Sequence, residues 1–464
     1  MTQEEMNNLI QGIFDNIFNS VTQAEPGGKP VMQASTTMLS LMKPGLAINS
    51  EDFRNPWTPG NTGGSQDAAV NTARLVDAAP KMSSIYTDSG NLISQVYKQV
   101  LDGVSIPAQP PNPAIEKQLS DADAVMFRDV TVVDPETGQN TTKHVESQLY
   151  RDYLDNQAAY NAARFAYVGA YLEAQKTASG QNTWPLVASS LQIPVRTAYD
   201  RWRAAGADKV EQAVAILNTS TQNALQKAWD QAKKQYEGYG AVLDDPGTGL
   251  AAPIVRSTLL PSDWHSSGRT TGWTNFDSAS SSVATSQSSD YKSYGGRAGF
   301  SLGFFSIGGG AGHTEASQQA SSETKNVRIA FKYSLVTIRR PWMTFNLFST
   351  KGWSVGNLFS KGEVSQGTKA SQNGAAMPML PTSFVVAKDI VISASWSQAD
   401  WALITSKTTG GGGFAIGPFS IGGSYSHSAS NQTFKSDMTG GRITVPGVQI
   451  IGVIGQVVPL SPPK

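Results

Sequence analysis

Two histidines, His313 and His427, hold equivalent places in an internal repeat, and histidine is the side chain that changes charge between about pH 5 and 8. Protonating both would charge two corresponding segments at once, so the pair is a candidate pH sensor for assembly or insertion. The other two histidines, His144 and His265, have no His, Asp or Glu at a metal-ligand spacing, and no metal site is expected. His144 and Glu146 would point different ways in a helix.

Other reactive constellations fail on context. There is no Gly-x-Ser-x-Gly turn to expose a serine nucleophile, and Asp244-Asp245 falls in a Gly/Pro-rich connection rather than a site that separates an acid from a base. The run Gly308-Gly309-Gly310-Ala311-Gly312 lacks the Lys-Ser/Thr pair and the helix signal of a phosphate loop. With 0 Cys, disulfides, thiolate metal sites and a cysteine nucleophile are excluded. The expectation is a protein that is not an enzyme and carries no cofactor.

The repeat itself reads GFSLGFFSIGGGAGH from Gly299 and GFAIGPFSIGGSYSH from Gly413, with nine of fifteen positions identical. Each copy folds on paper around a two-residue turn, Gly303-Phe304 and Gly417-Pro418, because glycine at the first central position suits a type II′ connection. That register sets Leu302 opposite Phe305, Phe300 opposite Ile307, Ile416 opposite Phe419 and Phe414 opposite Ile421. Phe300, Leu302, Phe304, Phe305, Ile307, Phe414, Ile416, Phe419 and Ile421 then form apolar tips. The arms approach the ~9–11 residues that a tilted strand needs to cross a bilayer. In this hairpin pattern alone, the sequence resembles the soluble-to-barrel strategy of β-pore-forming toxins.

Composition bounds the partners. Lys and Arg total 36, as do Asp and Glu, so net charge is zero and no long basic run is available for nucleic acid. No apolar stretch reaches 18 residues, and the start, with Glu4 and Glu5, lacks a secretion signal. The localisations this leaves are secretion or delivery to a target membrane by a non-classical route, and assembly in the cytoplasm.

Elements follow from periodicity. Residues 2–21 repeat apolar side chains at helical spacing, with Thr2 and Glu5 as a capping pair. Residues 26–66 are broken by Pro and Gly and read as a wrapping segment. In 144–178 an aromatic stripe of Leu149, Tyr153, Tyr160, Tyr167 and Tyr171 predicts a core-facing helix paired with another over 208–237. A shorter helical segment, 185–206, lies between them. From about residue 262 the period becomes two, with strands at 327–338, 384–396 and 443–458.

The expected architecture is α+β: a helical N-terminal half followed by an antiparallel β-rich C-terminal half with two Gly-rich β-hairpins. Its units are 1–106, 107–249 and 250–464. The expected function is a pore-forming homo-oligomer that inserts its hairpins into a lipid membrane. The alternative is a non-enzymatic structural or protein-binding assembly component, with a protein as its partner.

Overall fold

The computed structural model describes residues 3–23, 30–107, 113–133, 140–218, 222–279, 304–307, 316–318, 320–369, 374–409, 413–425 and 432–464. Helix α1 (Gln3–Thr22) carries Ile10, Ile13, Phe14, Ile17, Phe18 and Val21 on one face, and all are buried. The next strand, Thr37–Ile48, is buried along its whole length despite containing Pro44. Its register against Val448–Val457 shifts between Leu41 and Leu46, and a bulge is where a strand tolerates the missing amide of proline.

Helices α2 (Gln66–Asp77), α3 (Ile93–Gly103) and α4 (Pro113–Met126) precede a two-stranded ribbon, Phe127–Val133 with Asn140–Glu146. Four helices follow: α5 (Gln148–Gln175), α6 (Ala178–Ala204), α7 (Ala207–Asn218) and α8 (Gln222–Gly238). Ser147 begins α5 by accepting the Tyr150 amide, and Thr177 begins α6 by accepting that of Gly180. Each side chain satisfies a donor that the first helical turn leaves open.

The main sheet runs Thr37–Ile48, Val448–Val457, Met379–Ser395, Lys325–Arg339, Thr258–Leu260, all antiparallel. Alternation splits its side chains between two cores. Tyr333, Leu335, Val385 and Ala387 pack with the apolar face of α1 and with Phe165 of α5, while Val336, Ile338, Phe384 and Val386 join Phe53, Leu75 and Trp264. The one polar group in the first set is satisfied: the Tyr333 hydroxyl donates to Asn16 Oδ1 at 2.6 Å and lies 2.9 Å from Ser20 Oγ.

This architecture corrects the expected one. Helices and strands interleave throughout: Thr37–Ile48, from the first half, pairs with Val448–Val457 at the other end of the chain, and the helix Gln398–Thr409 interrupts the second half. A strand buried on both faces loses its period of two, which is why 26–66 reads as a wrapping segment. The scaffold is an open sheet rather than two Gly-rich hairpins, since among the described residues Thr37–Ile48 and Thr258–Leu260 do not pair.

A second correction concerns the aromatic stripe. Its main partner is α6: Tyr153 and Tyr160 pack on Trp202 at 5.6 and 5.5 Å, and Tyr167 and Tyr171 on Trp184 at 5.5 and 5.3 Å, while the stretch 208–237 is two helices, of which α7 meets Leu149 and Tyr153 through Val210 and Val214. Centroid separations of this size are those of favourable aromatic pairs.

Candidate functional site

The repeat forms a small sheet in the order Ala316–Gln318, Phe305–Ile307, Phe414–Ile416, Phe419–Ser424, Thr433–Lys435. Phe305 stands opposite Ile416 on one side of the middle strand, and Phe419 stands opposite Ile416 on the other. Ala415 likewise lies between Ser306 and Ser420. One strand is therefore flanked on both edges by the same Phe-Ser-Ile sequence. The match ends where a bulge sets Gly422, rather than Ile421, opposite Phe414.

The Gly417-Pro418 turn joins the last two of these apolar segments, with Gly417 at φ +56°, its amide donating to the Phe304 carbonyl at 3.0 Å. A Cβ at Gly417 would come within 2.6 Å of Ile10 Cδ1, so α1 covers the turn. Ser420 ties the small sheet to the main one. Its amide donates to Gln449 Oε1 at 2.9 Å, its carbonyl accepts from Gln449 Nε2 at 2.6 Å, and its hydroxyl donates to the Gly45 carbonyl at 2.6 Å.

Phe304, Phe305, Phe414, Ile416, Phe419 and Ile421 are all buried, and Ile307 is half-buried. Phe419 meets Phe331 of the main sheet at 5.0 Å. Phe300, Leu302, Gly303, His313 and His427 lie outside the described residues.

This packing overturns the expectation of a pore-forming, membrane-inserting toxin. Strands from the two copies pair with each other, and the apolar tips belong to the central core. Exposing each would forfeit about 1.5–3 kcal/mol. Alternation identifies an apolar face but does not say whether lipid or protein covers it; α1 and the main sheet cover this one. No helix among the described residues is long and apolar enough to cross a membrane.

The exposed apolar surface lies instead on α6. Trp184 and Trp202 face α5 through the ring contacts above, but no residue of α6 is fully buried. On its outer side Leu186 is 78% and Ile193 62% exposed, flanked by Val187 and Leu191 at 44% and 41%. Thr183, Leu186, Ser190, Ile193 and Thr197 recur at spacings of three and four and are all exposed, so they form one stripe. No charged residue occurs between Lys176 and Arg196. Lys176, at one end of the run, pairs with Glu173 at 2.5 Å, and Arg203, nearer the end of α6, pairs with Asp208 and Glu211. Periodicity marks the helix but not this face, for which the charge-free run was the available signal.

A pocket of about 300 Å³ opens between α5, α7, α8 and the end of Lys325–Arg339. At its wall the Arg339 guanidinium donates from one nitrogen to both Glu146 oxygens, at 3.1 and 3.0 Å, and from another to Asp155. Glu146 is almost fully buried, and that burial raises its carboxyl pKa while Arg339 pulls the other way. Neighbouring Arg340 donates to the carbonyls of Pro381 and Val76, and burial brings its pKa down to about 10.

His144 lies two residues before Glu146 on the strand Asn140–Glu146, not in a helix as the sequence suggested, so strand geometry puts the two on one face. Its Nδ1 is 2.7 Å from Asp129 Oδ1; its Nε2 is 3.3 Å from Asp123 Oδ1, an ionic approach without hydrogen-bond alignment. Burial disfavours the imidazolium, but the two carboxylates outweigh it and hold the His144 pKa above the ordinary value.

Set against protein-family models, curated proteins and solved structures, the chain matches none.

Proposed function

We propose that this chain is a non-catalytic assembly protein whose copies join through the outer face of α6. The observation that carries the reading is the exposed stripe centred on Leu186 and Ile193 within a charge-free run. Monomer surfaces do not ordinarily gather large apolar side chains on a helix face, and depletion of charge marks the centre of interfaces.

A second copy is the occupant that fits. A neutral face offers nothing to nucleic acid or an anionic lipid surface, and Lys176 at its N-terminal end is already paired in cis with Glu173. Two such helices crossing antiparallel about a two-fold axis near Ser189 and Ser190 set Leu186 of one copy beside Ile193 of the other, a self-complementary contact. Burying these four side chains gains about 6–12 kcal/mol gross, against about 4–15 kcal/mol of lost translational and rotational freedom. The most favourable difference, about 8 kcal/mol, corresponds to a Kd of about 1 μM, so association is expected from the micromolar range upward in concentration.

Sedimentation velocity across that range tests the reading. The wild type should pass from monomer to dimer as concentration rises, while Leu186→Glu combined with Ile193→Glu should remain monomeric with an unchanged unfolding transition. A wild type that stays monomeric at high concentration, or a double variant that associates equally well, would refute it.

A further inference from the structure

We infer that the pocket between α5, α7, α8 and the end of Lys325–Arg339 binds an uncharged aromatic carboxamide or a close heteroaromatic equivalent. This inference is independent of self-association through α6.

Size comes first. A volume of about 300 Å³ accepts a single ring with a small polar substituent and stands at the lower end of the usual range for ligand pockets. The wall is largely apolar, with Met126, Phe127, Leu154, Leu217 and Ile338 among its residues, and Phe127 already meets Tyr150 edge to face at 5.5 Å. A further ring would extend an arrangement that the aromatic quadrupole favours.

Charge comes second. The ionic groups on the wall are already matched, Arg339 to Glu146 and Asp155, Asp123 to His144, and Arg340 to backbone carbonyls. A carboxylate ligand would have to draw Arg339 away from a buried partner, and an ammonium would have to draw Glu146 away from Arg339 or Asp123 away from His144. Removing one member of a buried pair leaves the other uncompensated, so the site selects against both signs.

Polar capacity decides the substituent. Tyr150, Asn161 and Gln231 line the pocket, and among the described residues their side chains make no hydrogen bond. Burial holds the Tyr150 phenol pKa well above its usual value, so the group stays protonated and can donate. Gln157 uses its amide nitrogen on the Tyr153 hydroxyl and keeps its oxygen as an acceptor. One donor hydroxyl and several uncommitted amides complement a ligand that offers a carbonyl and an N–H together, which is what a carboxamide does.

Saturation-transfer NMR and calorimetric titration of the full chain with benzamide, benzoate and benzylammonium provide the test. Benzamide should bind and its two charged isosteres should bind at least tenfold more weakly. Tyr150→Phe, which keeps the ring, should weaken benzamide by about five- to tenfold through loss of one hydrogen bond. Ala228→Phe, which fills the space from α8, should abolish binding. Equal binding of a charged isostere, absence of benzamide binding to the wild type, or unchanged affinity in Tyr150→Phe would each overturn the inference. The charge series uses wild-type protein, so it stands even if Ala228→Phe fails to fold.

Discussion

The repeat sheet and α6 invert what their sequences advertise. Phe305, Ile416 and Phe419 occupy Gly-rich ribbons that read as surface or membrane elements, yet they are fully buried. Leu186 and Ile193 occupy an ordinary-looking helix, yet they are mostly exposed. The side chains are equally apolar. What differs is whether the chain supplies a cover: α1 and the main sheet lie over the ribbons, whereas α5 covers only the tryptophan side of α6. Burial is thus decided by the available partner, and an apolar stripe without one among the described residues points to a partner outside the chain.

Substitutions separate the two regions by size of effect. Phe419→Ala opens a cavity between the small and main sheets and is expected to destabilise folding by about 3–5 kcal/mol in denaturant titration. Leu186→Ala should change monomer stability by less than about 0.5 kcal/mol. Equal losses at the two positions would break the contrast.

Gly417→Ala sharpens it at the turn. The residue adopts φ +56° and a methyl group would meet Ile10 of α1, so a loss of about 1–3 kcal/mol is expected by the same titration. A neutral outcome would mean that α1 does not press on the turn.

The two repeat copies also differ. The Ser420 hydroxyl donates to Gly45 and its backbone is held by Gln449, while the hydroxyl of its counterpart Ser306 is buried with no hydrogen-bond partner among the described residues. Ser420→Ala should cost about 1–2 kcal/mol and Ser306→Ala should be neutral or slightly stabilising, because one removes a satisfied group and the other an unsatisfied one. Thermal unfolding of both variants measures the difference.

The smallest expected effect lies in pH. His144 has its folded pKa raised by Asp123 and Asp129 against the pull of burial. Its contribution to stability is therefore complete below its unfolded pKa of about 6.5 and is lost as pH rises through the higher folded value. His144→Gln should flatten that decline. A wild type whose stability grows with pH across that window, relative to the variant, would contradict the assignment.

Local pattern made part of this structure legible. Helical spacing identified the apolar face of α1, and a period of two identified the strand over 327–338, on which Ile329, Phe331, Tyr333 and Leu335 do share a buried face. Thr37–Ile48 was hidden because burial on both sides erases alternation and Pro44 argues locally against a strand. The aromatic residues of α5 announced a packing stripe but not its partner, since their spacing is the same whichever helix receives them. The Glu146–Arg339 pair joins residues 193 positions apart, and no local signal links them. On α6 the absence of charge between Lys176 and Arg196 was visible throughout, but exposure becomes apparent only once Trp184 and Trp202 fix the inner side.

The chain contains no cysteine, which makes a single introduced thiol the sharpest probe of the outer face of α6. Ser190→Cys lies at the proposed two-fold axis, and mild oxidation should convert this variant into a disulfide-linked dimer much faster than Lys98→Cys, an exposed position on α3. Equal rates, or no covalent dimer from Ser190→Cys, would contradict self-association through this helix.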